Sequence, residues 1–259
     1  MIVALLTDFG TRDHFVASVK GTILSAAPAA TVVDITHEIE PQNIDEAAFT
    51  LGACYRDFPA GTIFLAVVDP GVGSARRPVA VRCDDRTFIC PDNGILSFVL
   101  EYSGEYNAFE IENSELGSTN ISATFHGRDI FAPAAARIAN GLDPGSLGRR
   151  VTDLCILETA KAVHEGNRTA GVIVHIDRFG NLITNLMPDD IPGQFSIEIN
   201  DRYVSQLRSF YAQAAPGEIF AIVGSTGRIE ISIYGGSAKD LLGADPGQRI
   251  TVTNLSEGD

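Results

Sequence analysis

The sequence predicts two unlike domains. The first, residues 1–160, is an α/β domain with a mostly parallel central sheet. The second, residues 161–259, is a smaller antiparallel β domain, barrel or sandwich. Three observations predict this division. Up to about residue 160, short continuous apolar runs alternate with helix-length segments, as expected for strands covered on both faces. Beyond that point, short strands follow one another between Gly, Pro, Asn and Asp with little helical periodicity. A chain of 259 residues, 45% apolar and 20% charged, is long enough for two modest cores.

Taken in order, residues 2–6 form an apolar strand, and residues 15–26 a helix that ends before Pro28. Residues 31–35 form a β-branched strand, residues 44–58 a helix with Ala47, Ala48, Leu51 and Tyr55 on one face, and residues 62–68 a third strand. Residues 78–83 and 86–90 read as a hairpin, because Asp84-Asp85 is turn chemistry. Helices are expected at 95–101 and 130–140, the second closed by Gly141, and residues 149–166 are the expected connection. The second domain offers strands at 171–177, 182–186, 195–199, 219–223, 229–234 and 249–254, with one helix at 204–211.

Composition narrows the function. The formal charge of -14, from 33 acidic against 19 basic residues, opposes nucleic acid or an anionic membrane as partner. Residues 1–6 are apolar but reach Asp8 with no basic leader, so they read as a buried strand. No stretch approaches the roughly 20 apolar residues of a spanning helix. Cys54, Cys83, Cys90 and Cys155 lack CxxC spacing and are expected to be reduced core residues of a cytoplasmic protein.

Chemistry concentrates at strand ends. Asp8, Asp34 and Asp69 come at or after the first three strands, where open α/β sheets bind ligands. A turn-capping role explains each of them equally simply, and is favoured for Asp34. Asp8, in the turn 7–11, suits a bidentate grip on vicinal hydroxyls such as those of a ribose. The run Asp69-Pro70-Gly71-Val72-Gly73 is a tight loop in which both glycines allow positive φ. It lacks the Gly-Lys-Ser/Thr ending of a phosphate loop. Arg76 is close enough to fold back onto Asp69, as a functional or a structural ion pair. His126, beside Gly127 in a loop before a helix, suits a functional imidazole, although a lone histidine is often structural. Five histidines without HxH or HExxH spacing make a metal site an unexpected outcome. There is no GxSxG elbow for covalent catalysis. In the second domain, 177–181 and 224–228 are hairpin turns; Asn181 is placed to read a base edge while an aromatic such as Phe210 stacks on it.

Taken together, TDFGTRDHF (7–15), VVDPGVGSARR (67–77), PDNG (91–94), FHGRD (125–129) and HIDRFGNLITN (175–185) resemble the S-adenosyl-L-methionine (SAM) hydroxide adenosyltransferases. These are adenosine-forming SAM hydrolases related to fluorinating and chlorinating enzymes. The resemblance spans essentially the whole chain. It implies a β-barrel-like C-terminal domain and a homotrimer. It also implies an active site between the N-terminal domain of one subunit and the C-terminal domain of its neighbour. Asp69, Arg76 and His126 match the trio that holds and polarises the attacking water, and Asp8 the ribose-binding aspartate. Asp177 and Ser225 match positions near the methionine part; Asn181, Phe210 and the backbone around Ala238 match the adenine pocket. Phe125 and Glu230 complete the implied substrate-binding set.

The implied reaction is attack of water on the ribose C5′ of SAM, giving adenosine and methionine with no cofactor and no metal. Asp69 argues against halide as nucleophile, as does Phe15, where fluorinating relatives carry a small polar residue. A non-catalytic adenosine or SAM sensor is the competing reading, and retention of the whole trio counts against it.

Overall fold

The computed structural model describes residues 1–112, 121–158, 161–191 and 193–255. They form two compact units, Met1–Leu157 and Glu158–Asp259.

The first unit is built on a seven-stranded sheet: β1 (Ile2–Thr7), β2 (Thr31–Thr36), β3 (Ile63–Val67), β4 (Pro78–Cys83), β5 (Arg86–Pro91), β6 (Tyr106–Glu110) and β7 (Arg150–Val151). Their spatial order is β2-β1-β3-β5-β4-β6-β7. Pairing is parallel from β2 through β1 and β3 to β5, and antiparallel from β5 outward. One side of the sheet is therefore parallel, as expected, and the other side is antiparallel. The cause is local: Asp84 and Asp85 both take left-handed φ, 48° and 56°, and this turn sends the chain straight back beside itself.

Alternation along β1 builds two cores. Val3 and Leu5 face one layer with Val19 and Ile23 of helix α1 (Phe15–Ala26) and with Ala134 and Ala135 of helix α4 (Ala132–Ala139). Ala4 and Leu6 face the other, with Ala47 and Leu51 of helix α2 (Ile44–Cys54) and Val99 of helix α3 (Ser97–Tyr102). The α2 N-terminus is fixed by Asn43, whose side chain accepts from Glu46 N, with Asp45 and Glu46 in the first turn. Cys83 and Cys90 are buried as expected, whereas Cys155 is exposed; its N–H donates to Asp92, which holds the chain at the surface.

The second unit is a nine-stranded, almost wholly antiparallel sheet. Its strands are β8 (Val163–Glu165), β9 (Arg168–Ile176), β10 (Leu182–Thr184), β11 (Gln194–Ile199), β12 (Arg202–Val204), β13 (Leu207–Arg208), β14 (Ile219–Val223), β15 (Ile229–Ile233) and β16 (Arg249–Leu255). The order is β12-β11-β16-β9-β10-β15-β14-β13, with β8 on β9. Ile173, Leu182, Ile231 and Val252 lie in its core with Ala238 and Leu242 of helix α5 (Ala238–Leu242). The helix expected at 204–211 does not form. Leu207 and Arg208 instead pair in parallel with β14, and Ala221 N donates to Gln206 O, so this segment's backbone is satisfied by the sheet. Residues 159 and 160 of the expected connection lie outside the described residues; on either side of them the connection contains β7 and β8.

Candidate active site

Asp8 follows β1 directly, and one of its oxygens accepts from Gln42 N at 2.9 Å. The next residue, Phe9, packs against Phe15 and Phe125 with ring centroids 6.0 Å away in each case, while Phe15 and Phe125 meet edge to face at 5.1 Å. These aromatics, with Asp8, Asp69 and His126, wall a cavity of about 220 Å³ beyond the carboxyl ends of β1 and β3. Asp34 does not join it. It lies within β2, bonded to Lys20 at 2.7 Å and facing His37 at 3.0 Å, so its role is the structural one.

Three local features deliver Asp69. Val72 N donates to Asp69 O, closing the tight turn. The Asn93 side chain donates to Val68 O at 2.9 Å, tying the PDNG turn to the end of the strand that carries Asp69. Gly73 takes φ 77° so close to the loop before His126 that a Cβ there would lie 2.4 Å from Ala123 O. This approach brings the Asp69 loop beside the segment that carries His126. Of the two loop glycines only Gly73 uses positive φ; Gly71 does not.

Arg76 is the hub. Its Nε lies 2.9 Å from each Asp69 oxygen, and Nη2 donates to both Asp69 Oδ2 and His126 Nδ1, the latter at 2.8 Å. The guanidinium also lies 5.1 Å from the Phe131 ring centroid. The Asp69 and Arg76 side chains are only 5% and 9% exposed, so each charge depends on the other for its compensation. Arg76 Nη1 is buried without an acceptor among the described residues. His126 caps a π-helical turn, Gly127–Phe131, that leads into α4. Such turns shift a helix's register by one residue and recur at functional sites.

Burial, and then the Arg76 charge, hold the His126 imidazole below its usual pKa; Asp69 and Asp129 oppose this more weakly. Because an arginine only donates, Nδ1 must be an acceptor, which leaves the ring proton on Nε2. The site thus presents a carboxylate, a cation and a neutral N–H donor in fixed geometry. Among the described residues no cluster of His, Cys, Asp and Glu is suited to hold a metal.

The second unit has its own cavity, of about 670 Å³, and Asp177, Asn181, Ser225 and Glu230 all line it. Asp177 accepts from Phe179 N, Asn181 N and Asn181 Nδ2 at 2.8–2.9 Å, which fixes the 177–181 turn. Burial pushes the Glu230 carboxyl above the usual carboxylate range, opposed by its hydrogen bond from Tyr211. Its carboxylate lies over Gly224, where a Cβ would come within 1.7 Å of Oε1.

Phe210 and Ala238 do not themselves line this cavity, but Gly235 and Gly236, in the stretch leading to Ala238, do. Phe210 is 55% exposed and Ala238 is fully buried at the start of α5. Tyr211, the first residue of a short 3-10 turn that follows Phe210, does line the cavity. Tyr234 and Phe179 also line the cavity, and Phe9, Val72 and Thr124 line the first; sequence reasoning had not singled out any of these. The usable signal was adjacency, because each lies beside or inside a quoted motif or its neighbouring turn.

An open α/β unit with a preorganised acid–guanidinium–imidazole array at its strand ends defines an enzyme that acts on a small molecule. More particularly, the chain belongs to the SAM hydroxide adenosyltransferase family: residues 3–148 match its N-terminal domain and residues 171–251 its C-terminal domain. It is 38% identical to the (R)-S-adenosyl-L-methionine hydrolase of Thermus thermophilus, over 96% of this chain and 98% of that one. A fluorinase of an Actinoplanes species is 32% identical over 73% of each chain. The crystal structure of an uncharacterised conserved protein of Thermotoga maritima superposes with a TM-score of 0.88 at 35% identity, covering 98% of this chain and all of that one.

The electrostatics of His126 predict its titration. Its pKa is depressed in the folded state, so the unfolded chain takes up this proton first. Stability from this group is therefore present above 6.5 and is lost as pH falls below it. An NMR titration should place the His126 midpoint below 6.5, and a midpoint above 6.5 would mean that Asp69, not Arg76, dominates its field.

Proposed function

We propose that the protein is a cytoplasmic enzyme that hydrolyses SAM to adenosine and L-methionine by in-line attack of water on the ribose C5′. The observation that carries this reading is the array in which Arg76 holds Asp69 and His126, both on a cavity wall, in a chain of this family. The relatives named (R)-S-adenosyl-L-methionine hydrolase support the substrate.

The sulfonium leaves as a neutral thioether, so no general acid is needed. Water is the difficult partner, because in bulk it is a very weak acid. Asp69 accepts the proton as the C–O bond forms. It stays aimed because Arg76 grips both its oxygens. His126 is poorly suited to be the base: Nδ1 is occupied by Arg76 and Nε2 carries the proton. It orients the water by donation instead, and Asp8 holds the ribose hydroxyls. In the second unit, Asp177, Ser225 and Glu230 serve the methionine part, and Asn181 the adenine. Halide fits poorly, because an anion about 4 Å from the Asp69 carboxylate costs roughly 4 kcal/mol at an effective dielectric near 20.

We also propose a homotrimer. Phe179, Phe210, Tyr211, Val223 and Tyr234 are 38–76% exposed on or beside the second cavity, an apolar rim of the kind that association covers. Light scattering should give three times the chain mass, and a monomer at micromolar concentration would refute the assembly.

Incubation of the pure protein with SAM should yield adenosine and methionine in equal amounts. Asp69→Asn should lower kcat by roughly 10²–10⁴-fold, the usual scale of a lost general base, with a much smaller change in KM. Full activity in this variant would remove Asp69 from the role.

A further inference from the structure

A second polar chain lies beneath the Asp8 turn, and the water-handling array does not use it. Thr7, the last residue of β1, is 1% exposed, and His37, just past the end of β2, is 4% exposed. Thr7 Oγ1 lies 2.8 Å from His37 Nδ1. His37 Nε2 faces Asp34 Oδ1 at 3.0 Å, off the hydrogen-bond direction, and Asp34 Oδ2 accepts from Lys20 of α1 at 2.7 Å. The order hydroxyl–imidazole–carboxylate is that of a nucleophilic triad, but the setting is wrong for one. Thr7 does not line the cavity, and its oxygen already accepts from Phe9 N at 3.3 Å.

What the chain does hold is the turn. The His37 side chain engages Thr7 on one side of Asp8, and the His37 carbonyl accepts from Gly10 N at 2.7 Å on the other. Five residues on, Gln42 N donates to Asp8 Oδ2 at 2.9 Å, from a backbone at φ 68°. Backbone and side chain of one buried histidine thus bracket Asp8, and the same loop takes one of its oxygens. Asp8 Oδ1 has no protein donor among the described residues and belongs to a residue on the cavity wall.

We propose that His37 is a positioning residue that, through Thr7 and Gly10, sets Asp8 for a vicinal diol, so that selectivity for the ribose hydroxyls depends on a residue that never touches the ligand. The proposal rests on the reading of Asp8 as the ribose-binding carboxylate. A buried imidazole costs free energy unless it is hydrogen-bonded, and the bond His37 Nδ1 makes to Thr7 Oγ1 stiffens the strand end next to Asp8. A charged acceptor that must meet two hydroxyls at once tolerates little displacement.

The test compares binding of adenosine and 2′,3′-dideoxyadenosine by calorimetry in the intact protein and in Asp8→Ala, His37→Ala and Thr7→Val. The last variant is near-isosteric and keeps a β-branched residue in the strand, so it guards against misfolding of the histidine variant. The unmodified protein should prefer adenosine by roughly tenfold or more, the scale of hydrogen bonds to a charged group. Asp8→Ala should abolish that preference, which checks the ribose reading by itself. His37→Ala and Thr7→Val should each reduce it at least threefold while dideoxyadenosine binding stays within about twofold. Loss of Asp8 selectivity with both other variants still selective would overturn the proposal alone. Equal weakening of both ligands in those variants would reduce His37 to a structural role and overturn it as well. Retained preference in Asp8→Ala would instead sink the ribose reading and, with it, this inference.

Discussion

The pairing of Asp69 with Arg76 is the interaction on which the rest of the site depends. Two nearly buried charges stand side by side, and each is tolerable only because the other is there. The arrangement has consequences in both directions. Toward the ligand, the carboxylate is held in one orientation and keeps lone pairs for a proton donor. Toward His126, the same guanidinium fixes which ring nitrogen accepts and helps to keep the ring neutral. Much of the surrounding architecture serves to hold these three side chains in register. Asn93 tethers the strand end, Gly73 allows the loops to touch, and the π-helical turn starts at His126.

Much of this was legible in the sequence. The alternating apolar runs gave the strands of the first unit because residues buried on both faces leave a continuous signal, and the Gly- and Asp-rich spacing gave the hairpins of the second. The mixed pairing was harder to read. Whether β5 continues the parallel set depends on which neighbour it finds in space, and a two-residue turn constrains only its pairing with β4. The helix expected at 204–211 failed for a similar reason: a short segment's local preference gave way to an open sheet edge on β14.

The site divides in the same way. Motif order located Asp8, Asp69, Arg76 and His126, and the spacing of seven residues between Asp69 and Arg76 does allow the fold-back that is observed. Spacing did not single out Tyr211, which starts a short 3-10 turn and lines the second cavity. Nor did it reveal the contact between Thr7 and His37, thirty residues apart in sequence and adjacent only because β1 and β2 pair. Motifs that carry no obvious chemistry acquire a function this way: PDNG anchors the end of β3, and the segment after β2 brackets Asp8.

The central claim is that water, held by Asp69, attacks the ribose carbon. Turnover of SAM in water enriched in oxygen-18, followed by mass spectrometry of both products, tests it most directly. Attack by water on the ribose carbon puts the label in the 5′-hydroxyl of adenosine and none in methionine. Unlabelled adenosine, or label in methionine, would contradict it.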